Sequence, residues 1–154
     1  MGAKVKNPRK KFLWSIMFPK HPINTYLFQS CTLPDIEIDQ VAHGDVNRDV
    51  KTAGRVTIGN LIVEKLMTTA GSDTWLHDWL YACQDHIVGG GLVPSQYWET
   101  AIVNELAEDG VSALNTHVFE EVWPCKITGL DLDRMASENT IESIEFSVGT
   151  ADKY

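Results

Sequence analysis

The residues of this chain best suited to chemistry lie close together: His77, Cys83 and His86, with Asp78 and Asp85 beside them. Imidazole, thiolate and carboxylate together suit zinc or another transition metal. Cys83 and His86 are three apart and share a face of a helix, whereas His77 and His86 are nine apart and turn to different faces. Cys31, Cys83 and Cys125 are widely separated and form no Cys-x-x-Cys pair. Their odd number leaves at least one thiol unpaired within the chain. They read either as reduced, buried thiols or as partners of a disulfide between subunits. Glu120 and Glu121 are adjacent, so on a strand they point to opposite faces and cannot cooperate as acid and base. Gly89-Gly90-Gly91 lacks the Lys-Ser/Thr that follows in a phosphate loop, and no Gly-x-Ser-x-Gly elbow occurs. No catalytic residue and no cofactor is expected. A small metal-binding enzyme around Cys83 and His86 is the one enzymatic reading left open.

Charge divides the chain. Residues 1–20 hold Lys4, Lys6, Arg9, Lys10, Lys11 and Lys20 and no acid, while all 21 acids lie in residues 21–154. An acidic body repels nucleic acid, and a basic arm of this size is better suited to docking on an acidic protein neighbour. Tryptophans 14, 75, 79, 98 and 123 offer stacking surfaces for bases. On an acidic body they read instead as core or interface anchors. The 154 residues fit one domain, divided as a basic arm over 1–25, a body over 26–148 and a short polar tail over 149–154. The apolar run Phe12–Phe18 meets Pro19 with no small-residue cleavage site, and no run approaches a membrane span. No membrane anchoring is expected.

The elements that would carry these residues are mostly strands. Phe12–Phe18 reads as an edge strand and Tyr26–Thr32 as a second. Asp35–Asp39 alternates strictly, with Ile36 and Ile38 on one face and Glu37 and Asp39 on the other. Residues 43–55 form a polar loop or protruding hairpin, and a loop this long is usually functional. Arg55–Met67 reads as a strand with a bulge or bend at Gly59-Asn60. Ser72 or Asp73 caps a helix whose stripe is Trp75, Leu76, Trp79, Leu80 and Cys83. Tyr97–Leu106 and Val111–Val122 flank the hairpin signal Asp109-Gly110. Val118–Leu132 then runs through a Trp123-Pro124 corner and a Gly129 turn. Thr140–Val148 closes the chain with Ile144, Phe146 and Val148 inward and Ser143, Glu145 and Ser147 outward. The pattern predicts an antiparallel β-sandwich or barrel with one flanking helix.

From Thr32 to Val148 the order and spacing of these segments resemble the tail tube proteins of contractile-tailed bacteriophages. Leu61–Leu66, Asp73–Trp79, Phe119–Pro124 and Ser137–Phe146 carry the resemblance. It implies a structural subunit of a phage tail tube, with a fold shared by the tube proteins of type VI secretion systems and tailocins. It further implies homo-hexameric rings with a continuous inner β-barrel, stacked as a conduit for the genome. Tail sheath, baseplate and tape-measure proteins would be partners, and DNA would pass through without specific binding. The site would be the virion, assembled in the bacterial host cytoplasm. Glu37, Asp39 and Glu145 are the lumen-lining candidates. Asp45, Arg48 and Lys51 in the long loop are the ring-to-ring candidates, and Cys31, Cys83 and Cys125 the candidates for an inter-subunit disulfide.

Overall fold

The computed structural model describes residues 8–20, 28–67 and 74–154. Nine strands and two helices follow in the order β1 (Trp14–Met17), β2 (Phe28–Thr32), β3 (Ile36–Gly44), β4 (Asp49–Ile58), β5 (Leu61–Leu66), α1 (Trp75–Cys83), α2 (Pro94–Tyr97), β6 (Glu99–Leu106), β7 (Ala113–Ile127), β8 (Ile141–Ser147) and β9 (Thr150–Lys153). Seven strands form one antiparallel sheet in the order β1-β6-β7-β8-β5-β2, with β9 also paired to β7. β3 and β4 form a separate two-stranded ribbon.

The 15-residue β7 is the spine. Its first part pairs with β6 along one edge and β9 along the other, and its last part pairs with β8. β8 and β9 therefore follow each other along the same edge, broken at Val148-Gly149. Opposite that break Glu121 has φ 57°, the left-handed region a side chain rarely adopts. A Cβ at Gly149 would run into the Glu121 side chain. The spine bends here, two residues before the expected Trp123-Pro124 corner, and Trp123 and Pro124 stay within the strand. Proline is tolerated because β6 pairs β7 only as far as Val122, so beyond it one edge of β7 makes no ladder.

Alternation fills the core. Leu61, Val63, Ile144 and Phe146 point inward from β5 and β8, as do Ala101 and Val103 from β6. Helix α1 covers them with Leu76 and Trp79 buried. Phe18 lies at the centre, 5.3 Å from Phe146, 5.7 Å from Trp75 and 6.0 Å from Trp79, ring centroid to centroid. These are the tilted and edge-on arrangements that aromatic quadrupoles favour.

Several expectations need correction. Residues 14–18 belong to the body, since β1 pairs with β6 and Ile16 and Phe18 are buried. Arg55–Met67 is two strands in two sheets, and Gly59-Asn60 is the corner between them. The polar tail contains β9, whose residues 150–153 pair with Glu120–His117. Its side chains are polar because β9 is short and exposed on most of its surface, so hydropathy gave no sign of it. The proposed caps Ser72 and Asp73 lie outside the described residues.

Candidate assembly surfaces

The β3–β4 ribbon projects from the body. Every residue of β3 and all but Gly54 and Ile58 of β4 are exposed. Ile36 pairs with Ile58 and Ile38 with Val56, so the base of the ribbon has an apolar row on one face. The register then slips, with Gly54 and Arg55 opposite Asp39. Gly54 fits because a Cβ there would press on the Asp39 carbonyl oxygen and the Val41 methyl, each at 3.1 Å. Beyond this bulge Val41 pairs with Thr52 and Val50 with His43, which puts both valines on the opposite face. One bulge thus moves the apolar row from one side of the ribbon to the other, as a change of one residue in register must. Contiguous exposed apolar surface is a common mark of interaction sites.

Glu37 and Asp39 share the face that carries Val41 and His43. Glu145 lies in the other sheet, half-buried on the outward face of β8 between buried Ile144 and Phe146, opposite Ile62 and Lys126. The three lumen candidates therefore occupy two surfaces. The ring-to-ring candidates do fall together at the ribbon tip. The Asp45 N–H donates to the Arg48 carbonyl at 2.8 Å across the turn, the Val46 N–H donates to the Asp45 carboxylate at 2.7 Å, and Lys51 stands opposite Ala42. Of the two readings of residues 43–55, the protruding hairpin is the one observed: they run from the end of β3 through the turn into β4.

Two charged clusters escaped sequence reasoning. Lys65 and Glu142 are Cα partners across β5 and β8 and are buried. His77 reaches down from α1 to the Glu142 carboxylate at 3.2 Å. The second cluster ties the basic N-terminal segment to the body. Arg9 donates to Glu105 at 3.3 Å, and His117 lies 3.3 Å from the same carboxylate. Burial pushes the Glu105 carboxyl up, but hydrogen bonds from His117 and Asn115 and the Arg9 charge outweigh it, and its pKa is lowered. The contribution of this cluster is therefore present above the ordinary carboxylate range and lost as pH falls through the lowered value. Only residue spacing across the folded sheet creates either cluster, so the linear sequence carried no signal for them.

The side chains weighed as metal ligands, His77, Cys83 and His86, do not come together. His77 is engaged with Glu142, and the His86 ring lies 5.4 Å from that of Tyr81. Among the described residues no three His, Cys, Asp or Glu side chains converge as metal ligands.

The three cysteines are free and lie apart, on β2, at the end of α1 and on β7. Burial pushes the Cys31 thiol up to about 12. Burial, then the Glu99 charge, raises Cys83 to about 11. Cys125 is raised by burial and then by Glu145, and its S–H donates to the Glu145 carbonyl at 3.4 Å. The thiolate is the reactive form, so disulfide formation at neutral pH is disfavoured at Cys31 and Cys83. At pH 8 an aromatic disulfide reagent is expected to label exposed Cys125 first and Cys31 at least about tenfold more slowly. Equal rates would show that the burial of Cys31 is not maintained.

Residues 10–150 match the model of the family described as T4-like virus tail tube protein gp19. Among solved structures, the chain is similar to the tube-terminating cap of the anti-feeding prophage, with TM-score 0.82 and 15% identity over 100% of this chain and 95% of that one. It is similar to a chain of the sheath–tube complex of an extracellular contractile injection system in the extended state, with TM-score 0.78 and 16% identity over 97% and 93%. Similarity extends to Hcp1 from Flavobacterium johnsoniae, with TM-score 0.52 and 14% identity over 92% and 94%. No curated protein matches the chain.

Proposed function

The chain belongs to the T4-like virus tail tube protein family, a structural tube subunit, and from that membership we propose that its copies close into hexameric rings that stack as the conduit of a contractile phage tail. The observation that carries this reading is the exposed ribbon. A free two-stranded ribbon is marginal in water on its own and leaves both its edges and its apolar rows open. Neighbouring copies that pair those edges and cover those rows remove both liabilities. The two-sided pattern set by the bulge at Gly54 suits a ribbon with a neighbour on each side. Ile36, Ile38 and Val56 would meet one copy, and Val41 and Val50 another.

In this assembly Glu145, on the outward face of β8, would face the lumen, where negative charge lets duplex DNA slide without sticking, while Glu37 and Asp39 share the ribbon face that Val41 presents to a neighbouring copy. Asp45, Arg48 and Lys51 at the ribbon tip would contact the adjoining ring. Sheath, baseplate and tape-measure proteins are the partners this role requires, and the virion is its site. The work is mechanical and needs no catalysis. Cys125, exposed on β7, is the cysteine best placed for a bond between subunits. A tube of another contractile injection system is the second reading, favoured by the likeness to the sheath–tube chain.

The test is Val41→Asp. It places a charge on the outer apolar row of the ribbon and leaves the body untouched. Tubes are expected to shorten to short stacks or single rings under the electron microscope. Tubes of unchanged length would remove the ribbon from the stacking contact.

A further inference from the structure

The segment after α1 presents apolar side chains to solvent on a rigid loop. Ile87 and Val88 are 79% and 83% exposed. The Asp85 carboxylate accepts from the N–H groups of Ile87 and Val88 at 2.8 and 3.3 Å. The backbone of Asp85 exchanges hydrogen bonds with Gly89 and Gly90, and the Leu92 N–H donates to the Ala82 carbonyl at 2.9 Å. Gly89 and Gly90 take φ of 82° and 81°, which only glycine adopts without strain. The tip is thus held outward by its own backbone. A cavity of about 220 Å³ lies elsewhere on the same chain, lined by Leu13, Trp14, Cys31, Leu33, Val103 and Leu106. Its remaining lining includes Arg9, Lys10 and Lys11.

The tip does not reach this cavity in its own chain. The loop is tied to the C-terminal end of α1 and leads through α2 into Glu99, the first residue of β6. The cavity lies at the other end of β6, beside Glu105 and Leu106. Seven residue steps of strand separate the two ends, roughly 23 Å. A projecting apolar tip rooted on Asp85 and an apolar hole edged by Lys10, Lys11 and the Arg9–Glu105 pair are complementary in polarity and sign.

We propose that the Ile87–Val88 tip of one copy seats in the cavity beside Cys31 of the next copy, with Asp85 facing Lys10 and Lys11. The contact joins two different patches. It is therefore heterologous, the kind that closes a ring or continues a filament. It gives the basic segment a protein partner, another copy's acidic surface. It rests on the reading that copies of this chain assemble.

Two variants test it. Val88→Asp alters an exposed side chain and keeps the backbone N–H that Asp85 holds, so the monomer should melt as before. It is expected to raise the concentration needed for ring formation at least tenfold. The second variant combines Val88→Cys with Leu106→Cys in a chain carrying Cys31→Ala, Cys83→Ala and Cys125→Ala. Mild oxidation is expected to give covalent dimers and higher multiples on non-reducing gels, and neither engineered cysteine alone should do so. Rings that form without the Val88–Leu106 link, or that form normally in Val88→Asp, would overturn this contact and leave the tube reading standing. No rings from the unaltered chain together with no link would overturn both.

Discussion

Replacing Trp79 with alanine is expected to lower the unfolding free energy by roughly 3–5 kcal/mol. The indole is 6% exposed. Its centroid lies 6.0 Å from that of Phe18, 5.6 Å from Phe146 and 6.4 Å from Trp75. Truncation removes all three ring contacts at once and opens a void where α1 presses on the sheet. It also removes the Nε1–H that donates to the Tyr97 carbonyl at 2.8 Å, the bond that holds α2 against α1. Trp79→Phe separates the two effects. It keeps most of the ring packing and loses the donor, so a cost of about 1–2 kcal/mol is expected. Urea denaturation checks both, at a protein concentration below assembly so that mass action does not mask the loss. A cost under about 1 kcal/mol for alanine would mean that the helix does not close the core.

The second large effect concerns the buried charges. Along β5 the inward row runs Leu61, Val63, Lys65, and along β8 it runs Glu142, Ile144, Phe146. Lys65 and Glu142 thus continue an apolar row with opposite charges placed directly across from each other. Lys65→Met keeps the volume and removes the cation, leaving the Glu142 carboxylate buried with His77. A loss of about 3–5 kcal/mol is expected, since removing the opposite charge from the facing position leaves a buried carboxylate whose Oε1 already lacks a hydrogen-bond partner. The double change Lys65→Met with Glu142→Leu should recover most of that loss, because an apolar pair of similar volume needs no compensation. If the double variant is as unstable as the single one, the pair is not what governs this end of the sheet.

Much of the fold was legible because hydropathy periods report directly on burial. The closing strand is the clearest instance: Ile144, Phe146 and Val148 are inward, as their alternation requires. The stripe on α1 was legible for the same reason, with Leu76 and Trp79 at its centre. The Asp109-Gly110 turn does join β6 to β7, and Gly110 takes φ 74°. Other features follow from pairing, which a linear reading does not contain. β9 is polar on its surface and becomes a strand only because β7 offers it an edge. The end of β4 and β5 read as one strand because Val56, Ile58 and Leu61–Val63 are apolar, although the chain changes sheets at Gly59-Asn60. Lys65 and Glu142 look like solvated residues until the register places them opposite each other. The candidate sites divide along the same line. Asp45, Arg48 and Lys51 are near in sequence and stay together at the ribbon tip. Glu37, Asp39 and Glu145 were drawn from distant strands and occupy two surfaces. His77, Cys83 and His86 were grouped by nearness in sequence, but packing engages His77 with Glu142 instead.

If this chain builds a tube, its copies must close into rings and stack. Negative-stain electron microscopy of the purified protein over a range of concentrations tests it most directly. Rings with a central hole, stacking end to end as concentration rises, are the predicted result. Single small particles at every concentration, with no rings and no stacks, would contradict it.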